Sequence, residues 1–136
     1  MTFNIRKTIQ CAAACATALF LVSCGEGPSD VVIKTNELMA DGNVKETVAY
    51  FNTTAEKKEM IASAIEQKAL PKMQEELKAK GGLSEIKIID EDISDDGKTA
   101  TVSFKTIYGD GSSSTDSQKL ECVDGKWMLE DPFKNK

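Results

Sequence analysis

The feature that most constrains this chain is a change in the spacing of its apolar residues at Gly81-Gly82. Before this pair, apolar side chains recur every three or four residues, which is the period of a helix with one buried face. After it, apolar and polar residues alternate, which is the period of a strand with one buried face. We therefore predict an α+β fold, with N-terminal helices packed on a curved antiparallel sheet.

Three helices are predicted ahead of the glycine pair. Residues that cap helix N-termini precede each of them: Ser29, then Asn43 with Glu46, then Thr53 with Glu56. Pro71 lies inside the third helix and has no backbone N–H. Because proline also clashes with the preceding turn, the third helix is expected to kink or break near Leu70.

Four strands in a meander are predicted after the glycine pair. Strict alternation from Lys98 to Tyr108 places one set of residues on the buried face: Ala100, Val102, Phe104, Thr106 and Tyr108. Asp124-Gly125 predicts a two-residue type I′ turn between the last two strands. The helices are the only cover that this chain offers for the apolar face of the sheet.

The first residues differ from the rest of the chain. Arg6 and Lys7 precede a run of 12 uncharged, mainly apolar residues, from Cys11 to Val22. This run is shorter than the roughly 20 residues that a membrane-spanning helix needs, and it has the length of the apolar part of a secretory signal. Residues 1–23 are therefore predicted to be a signal peptide.

The end of the apolar run resembles the bacterial lipobox. It reads Leu21-Val22-Ser23-Cys24, and in a lipobox the cysteine is lipidated on sulfur and becomes the new N-terminus. The resemblance implies a lipoprotein with lipidation at Cys24, a lipidated tether over residues 24–28 and a single α+β domain over residues 29–133. Gly25, rather than aspartate, implies the outer membrane, with the periplasmic side expected ahead of the cell surface. An ordinary signal peptide with an unmodified Cys24 is the alternative.

The composition excludes several kinds of chemistry. The chain has no histidine, which excludes Ser-His-Asp triads, Cys-His dyads and His-rich metal sites within it. The formal net charge of −5 argues against nucleic acid as a partner. After processing, Cys122 is the one thiol left free, so an internal disulfide is excluded and Cys122 is expected to fill the core.

One acidic turn invites comparison with a calcium loop. Asp92, Ser94, Asp96 and Gly97 match the first half of an EF-hand loop, but its twelfth position is Ser103, which cannot supply a bidentate carboxylate. We therefore predict a solvated hairpin turn. No metal or other cofactor is expected.

Several turn motifs together resemble a known family. They are Asp41-Gly42-Asn43, residues 95–102 (DDGKTATV), residues 108–111 (YGDG) and residues 123–127 (VDGKW). Over residues 29–130 this pattern is similar to the bacterial lipoprotein family called domain of unknown function 4878, within the nuclear transport factor 2-like superfamily. The resemblance implies a cone of helices against a strongly curved sheet. It transfers no catalytic residue.

Such cones often enclose a pocket, and this gives the candidate site. Five residues are predicted to line it: Tyr50, Phe51, Met60, Phe104 and Trp127. We expect a membrane-anchored, non-catalytic module that binds a small apolar ligand or an envelope protein. For Phe104 and Trp127 a position in the core is the favoured reading, because large rings at alternate strand positions facing a helical layer usually pack inside, and the pocket is the alternative. The alternative function is an isomerase or hydratase with a buried Asp or Glu beside a Tyr.

Overall fold

The computed structural model describes residues 26–134. Its elements are the helices α1 (Pro28–Ala40), α2 (Val44–Val48), α3 (Ala55–Ala64) and α4 (Leu70–Ala79), followed by the strands β1 (Leu83–Ile93), β2 (Thr99–Tyr108), β3 (Ser113–Val123) and β4 (Lys126–Leu129). The strands form one antiparallel sheet in the order β1-β2-β3-β4. This order confirms the predicted α+β class. The predicted signal peptide and Cys24 lie outside the described residues.

The core lies between α1 and the sheet. Its buried members are Val31 and Val32 of α1 with Ile86, Val102, Phe104, Leu120 and Leu129 of the strands. The alternation predicted for β2 is confirmed at Ala100, Val102, Phe104 and Tyr108, which are buried, whereas Thr106 is only half-buried. A smaller apolar cluster under α2 and α3 contains Val44, Val48 and Ile61.

Two of the three predicted caps are wrong by one or two residues. Gly27 caps α1, and its N–H donates to the Asp30 carboxylate at 3.1 Å, while Ser29 bonds instead to Glu91 of β1. Thr54, not Thr53, caps α3. In both places the hydroxyl that was predicted to cap the helix forms a hydrogen bond with a residue from elsewhere in the fold. The predicted cap of α2 is confirmed, since the Asn43 side chain accepts from the Glu46 N–H at 3.4 Å.

Pro71 does not break the helical layer. A π-helical turn at Ile65–Ala69 joins α3 to α4, and the Leu70 N–H donates to the Ile65 carbonyl five residues back. The π-helical turn is wider than an α-helical turn, and this shifts the backbone carbonyl with which the Pro71 ring would otherwise clash. The backbone N–H that Pro71 lacks belongs to the first turn of α4. The predicted break near Leu70 is therefore replaced by a continuous helix with one wide turn.

The hairpin between β3 and β4 has the predicted turn. Asp124 and Gly125 have φ angles of 52° and 81°, and positive values at both positions define a type I′ turn. Cys122 lies opposite Trp127 in this hairpin and is half-buried. It is not core filler as predicted, because it lies at the end of the strand, beyond the buried Leu120.

Candidate binding groove

A groove of about 610 Å³ opens between α1 and α2 on one side and the β3–β4 hairpin on the other. We call it the Trp127 groove and define it by six of its lining residues: Lys34, Leu38, Glu46, Tyr50, Lys126 and Trp127. The rings of Tyr50 and Trp127 also pack partly against the core. One wall of the groove is therefore continuous with the hydrophobic core.

Backbone pairing brings Tyr50 and Trp127 to the same place. After α2 the chain runs beside β4, where Phe51 forms a parallel bridge with Leu129. The Leu129 N–H donates to the Tyr50 carbonyl at 2.7 Å, and the Asn52 N–H donates to the Leu129 carbonyl at 2.9 Å. Residues 50–52 thus extend the sheet past β4 for a short distance.

The structure brings only two of the five predicted pocket residues into this groove. Tyr50 and Trp127 line it, whereas Phe104 is 5% exposed within the core and Phe51 packs against both apolar clusters. Met60 is 59% exposed on α3. The structure therefore does not bring Phe51, Met60 and Phe104 into this groove. Phe104 lies mid-sheet under α1, in the core position favoured from the sequence, and α3 buries Ile61 instead of Met60.

Sequence reasoning missed the charged and aliphatic members of the groove. Lys34, Leu38, Glu46 and Lys126 come from three separate elements. No local motif connects them, and a lysine on a helix is ordinarily read as solvated surface. Only the packing of α1 against β4 places them around one concavity.

The acidic groups near the groove are solvated. Glu26 and Glu46 line it and are exposed, and the Glu46 carboxylate accepts from the Asn43 amide at 2.9 Å. Within residues 26–134 the only polar residues that are fully buried are Thr35 and Thr47, whose hydroxyls donate to helix carbonyls. A buried carboxyl beside a tyrosine is thus not found in the described part of the chain.

The carboxyl groups with shifted pKa values lie away from the groove. In the β1–β2 turn, bonds from the Ser94 hydroxyl and the Lys98 N–H lower the pKa of Asp96. In the β2–β3 turn, the Ser112 hydroxyl and N–H lower the pKa of Asp110. These carboxylates close hairpin turns. Among the described residues no three His, Cys, Asp or Glu side chains are grouped to hold a metal ion.

No helix among residues 26–134 has the length and apolar character needed to cross a membrane. Together, the elements of the described chain form a helical layer on one face of an antiparallel sheet, and the Trp127 groove lies at the edge of that sheet.

This architecture is that of the nuclear transport factor 2-like class. A solved structure from Campylobacter jejuni, described as "Putative NTF2-like transpeptidase", shares it with a TM-score of 0.67, covering 77% of this chain and 98% of that chain. Sequence identity between the two is 18%, so the likeness concerns the fold.

The chain itself belongs to the family described as Domain of unknown function (DUF4878), whose model matches residues 22–130. This confirms the family expected from the turn motifs, and the fold is the one that the resemblance implied. No curated protein is significantly similar in sequence to this chain.

Proposed function

We propose that this protein is a lipid-anchored envelope protein of the outer membrane whose domain binds a ligand in the Trp127 groove without transforming it. The observation that carries the binding role is the groove itself, with two aromatic rings and four charged or aliphatic side chains around one concavity. Its volume of about 610 Å³ is within the usual range of ligand sites, about 300–1,000 Å³.

The groups that line the groove favour binding over catalysis. General acid–base catalysis needs a group whose pKa is tuned by burial or by close neighbours. The carboxylates of Glu26 and Glu46 are exposed instead, and Glu46 is bonded to a helix-capping amide. This speaks against the isomerase or hydratase alternative.

The name of the Campylobacter protein raises transpeptidation as a second candidate. A covalent acyl transfer needs an activated hydroxyl or thiol beside a base. The groove is lined by no serine, threonine or cysteine within residues 26–134, and the chain has no histidine. Cys122 lies opposite Trp127 in the hairpin and does not line the groove. Binding is therefore the function that the groove supports best.

The predicted anchor would hold the groove close to the membrane. Glu26 lines the groove and lies two residues from Cys24, and two extended residues span at most about 7 Å. A lipid on Cys24 would therefore keep the groove within a short distance of the lipid headgroups. Ligands with this access are small amphipathic molecules and segments of neighbouring envelope proteins.

The groove can be tested through its own fluorescence, because Trp127 is the only tryptophan of the chain. The full chain in detergent is titrated with 8-anilinonaphthalene-1-sulfonate, an amphipathic aromatic anion. We expect saturable binding with energy transfer from Trp127, and at least tenfold weaker binding for Leu38→Glu, which adds a charge to the wall of the groove.

The matched control is Ile89→Glu, because Ile89 is 53% exposed on β1 and lies outside the groove. Its binding should equal that of the unmodified protein. If Leu38→Glu folds normally by circular dichroism and binds the dye unchanged, the groove is not a ligand site.

A further inference from the structure

The backbone of β4 points to the chemical class of the ligand. We propose that the Trp127 groove takes a short extended peptide segment of a partner protein, which pairs with the backbone of Trp127 and places a carboxylate at Lys34 and Lys126. This inference rests on the proposed binding function and specifies its ligand.

The direction of the Trp127 backbone follows from the strand register. Leu129 directs its N–H and its carbonyl away from β3, because both bond to residues 50–52. Trp127 is two residues earlier in the same strand, so its N–H and carbonyl point to that same side. The pairing of β3 agrees, since Cys122, opposite Trp127, directs its N–H to the Lys98 carbonyl of β2 at 2.8 Å.

These two backbone groups of Trp127 have no partner in the described part of the chain. Among residues 26–134 no backbone or side-chain group bonds to the Trp127 N–H or carbonyl. Two residues further on, the same edge is already paired with residues 50–52. An added strand at Trp127 would therefore continue a pairing that the fold itself begins, which is the basis of peptide recognition by strand addition.

The edge also limits the length of the ligand. The type I′ turn at Asp124-Gly125 closes one end, and residues 50–52 occupy the other. Only two or three residues of a partner can pair there. Because side chains alternate along a strand, one of them would lie against the rings of Tyr50 and Trp127.

The charges in the groove favour a carboxylate on this peptide. Lys34 and Lys126 line the groove, and neither has an ion-pair partner within residues 26–134. Glu26 and Glu46 also line the groove, but neither forms an ion pair with these lysines among residues 26–134, and the Glu46 carboxylate accepts from the Asn43 amide at 2.9 Å. Two lysines without a paired carboxylate, close to unpaired backbone groups, are complementary to an acidic side chain or a C-terminal carboxylate.

A second free edge in the sheet serves as the comparison. The first half of β3 extends past β4, and its Thr115 N–H points away from β2 by the same register argument. The residues there are exposed and polar, and none of them lines the Trp127 groove. The ring beside them is that of Tyr108, whose hydroxyl lies 3.2 Å from the Ser114 hydroxyl. Among residues 26–134 neither edge has a pairing strand at these places, and the one at Trp127 opens into the groove.

The test removes a single backbone donor and leaves every side chain in place. The α-hydroxy analogue of tryptophan at position 127 replaces the Lys126–Trp127 amide by an ester in the full chain. The probes are acetylated heptapeptides that alternate threonine and valine, with the central residue varied over all twenty amino acids. Each is made with a free C-terminal carboxylate and with an amide, and binding is followed by Trp127 fluorescence in detergent.

We expect at least one free-carboxylate peptide to bind saturably, and the ester at position 127 to weaken it about tenfold. An ester at the Ser114–Thr115 bond is the control and should change nothing. Lys34→Met and Lys126→Met should weaken every peptide that carries a carboxylate, whether at its C-terminus or on a central Asp or Glu, and leave the amidated peptides without one unchanged. Lys87→Met, exposed on β1, should affect neither group.

Each contrary result overturns the inference in a distinguishable way. If the ester and unmodified proteins bind the peptides equally, the edge of β4 at Trp127 is not used. The proposed function would still stand in that case if the unmodified protein binds the dye and Leu38→Glu abolishes this binding. If the ester at position 127 lowers the melting temperature and the control ester at Ser114–Thr115 does not, the Trp127 N–H is already paired within the chain. Self-association that the ester abolishes would assign the edge to a second copy. Failure of both dye and peptides to bind would reject the proposed function as well.

Discussion

At the scale of single residues, Asp131 joins the C-terminal segment to the start of α3. Its carboxylate is 9% exposed, accepts from the Phe133 N–H at 2.8 Å and from the Thr53 hydroxyl at 2.9 Å, and lies 3.5 Å from the Lys57 ammonium. The Phe133 N–H lowers the pKa of Asp131 most; partial burial opposes this, and Thr53 and Lys57 add to the lowering. Thr53 is lost as a helix cap because of this contact.

The lowered pKa predicts how acid affects the native state. The Asp131 carboxylate contributes its full stability above the ordinary aspartate pKa of about 3.9, and this contribution is lost as the pH falls through the lower native value. We expect Asp131→Asn to lower the urea midpoint at pH 7, with the difference from the unmodified protein shrinking towards pH 2. Asp92→Asn, at an exposed position of β1, is the control and should leave the midpoint nearly unchanged. If the difference in urea midpoint stays constant across this pH range, the stabilisation does not come from the ionised Asp131 carboxylate.

Trp127 belongs in part to the core and in part to the groove. Replacing a fully buried tryptophan by alanine costs about 3–5 kcal/mol, but Trp127 is only half-buried. We therefore expect Trp127→Ala to lower the free energy of unfolding by about 2 kcal/mol, measured by urea denaturation with circular dichroism. Ile89→Ala, on an exposed side chain, should cost less than about 0.5 kcal/mol. A loss above 4 kcal/mol would mean that the ring is core.

At the scale of elements, the loop after α4 and the turn after β2 touch through their backbones. The Gly109 N–H donates to the Gly82 carbonyl and the Asp110 N–H to the Lys80 carbonyl, both at 2.8 Å. A Cβ on Gly109 would lie 2.8 Å from the Gly81 carbonyl carbon and nearer still to its oxygen. This contact fixes the end of the helical layer against the far end of the sheet, and it leaves room only for glycine.

Gly109→Ala therefore tests the junction between the two layers. Because the obstacle is backbone, which cannot rotate away, we expect a loss of about 2–3 kcal/mol in the free energy of unfolding. Gly97→Ala is the comparison: its φ of 71° is unfavourable for alanine, but no atom lies within 4 Å of the new Cβ. It should cost only about 1 kcal/mol. Equal losses for the two variants would show that the backbone contact contributes nothing.

At the scale of the whole molecule, the proposed anchor and the described domain can be separated experimentally. Lipid chains on Cys24 would hold the protein stably in a membrane, whereas the described residues contain no helix able to span one. We expect Cys24→Ser, expressed in a bacterial host with lipoprotein processing, to move the protein from the membrane pellet to the soluble fraction. Intact mass spectrometry should show the loss of the acyl groups.

Cys122→Ser is the matched control, because Cys122 is the one cysteine within residues 26–134 and is only half-buried. This variant should stay in the membrane fraction with its acyl mass unchanged. If Cys24→Ser remains membrane-bound although its mass shows that residues 1–23 have been removed, the anchor is not a lipid on that sulfur.

Sequence reasoning succeeded where a signal is local. The period of the apolar residues in β2 and the Asp124-Gly125 turn were both predicted, since each depends on neighbours within a few residues. It failed where a distant partner changes a local preference. Ser29 and Thr53 have the chemistry of helix caps, but Glu91 and Asp131 take their hydroxyls and the caps move to neighbouring residues.

By itself, the sequence determined the order of helices and strands, the family and the candidate lipid attachment site. Each of these depends on residues that are close together in the chain: the apolar period, the turn residues and the signal segment. Only the tertiary structure decided that Lys34 and Lys126 share a groove with Trp127, and that the Trp127 backbone groups have no partner among residues 26–134. Those facts depend on which strand edges are paired and how α1 crosses the sheet, and no window of neighbouring residues contains that information.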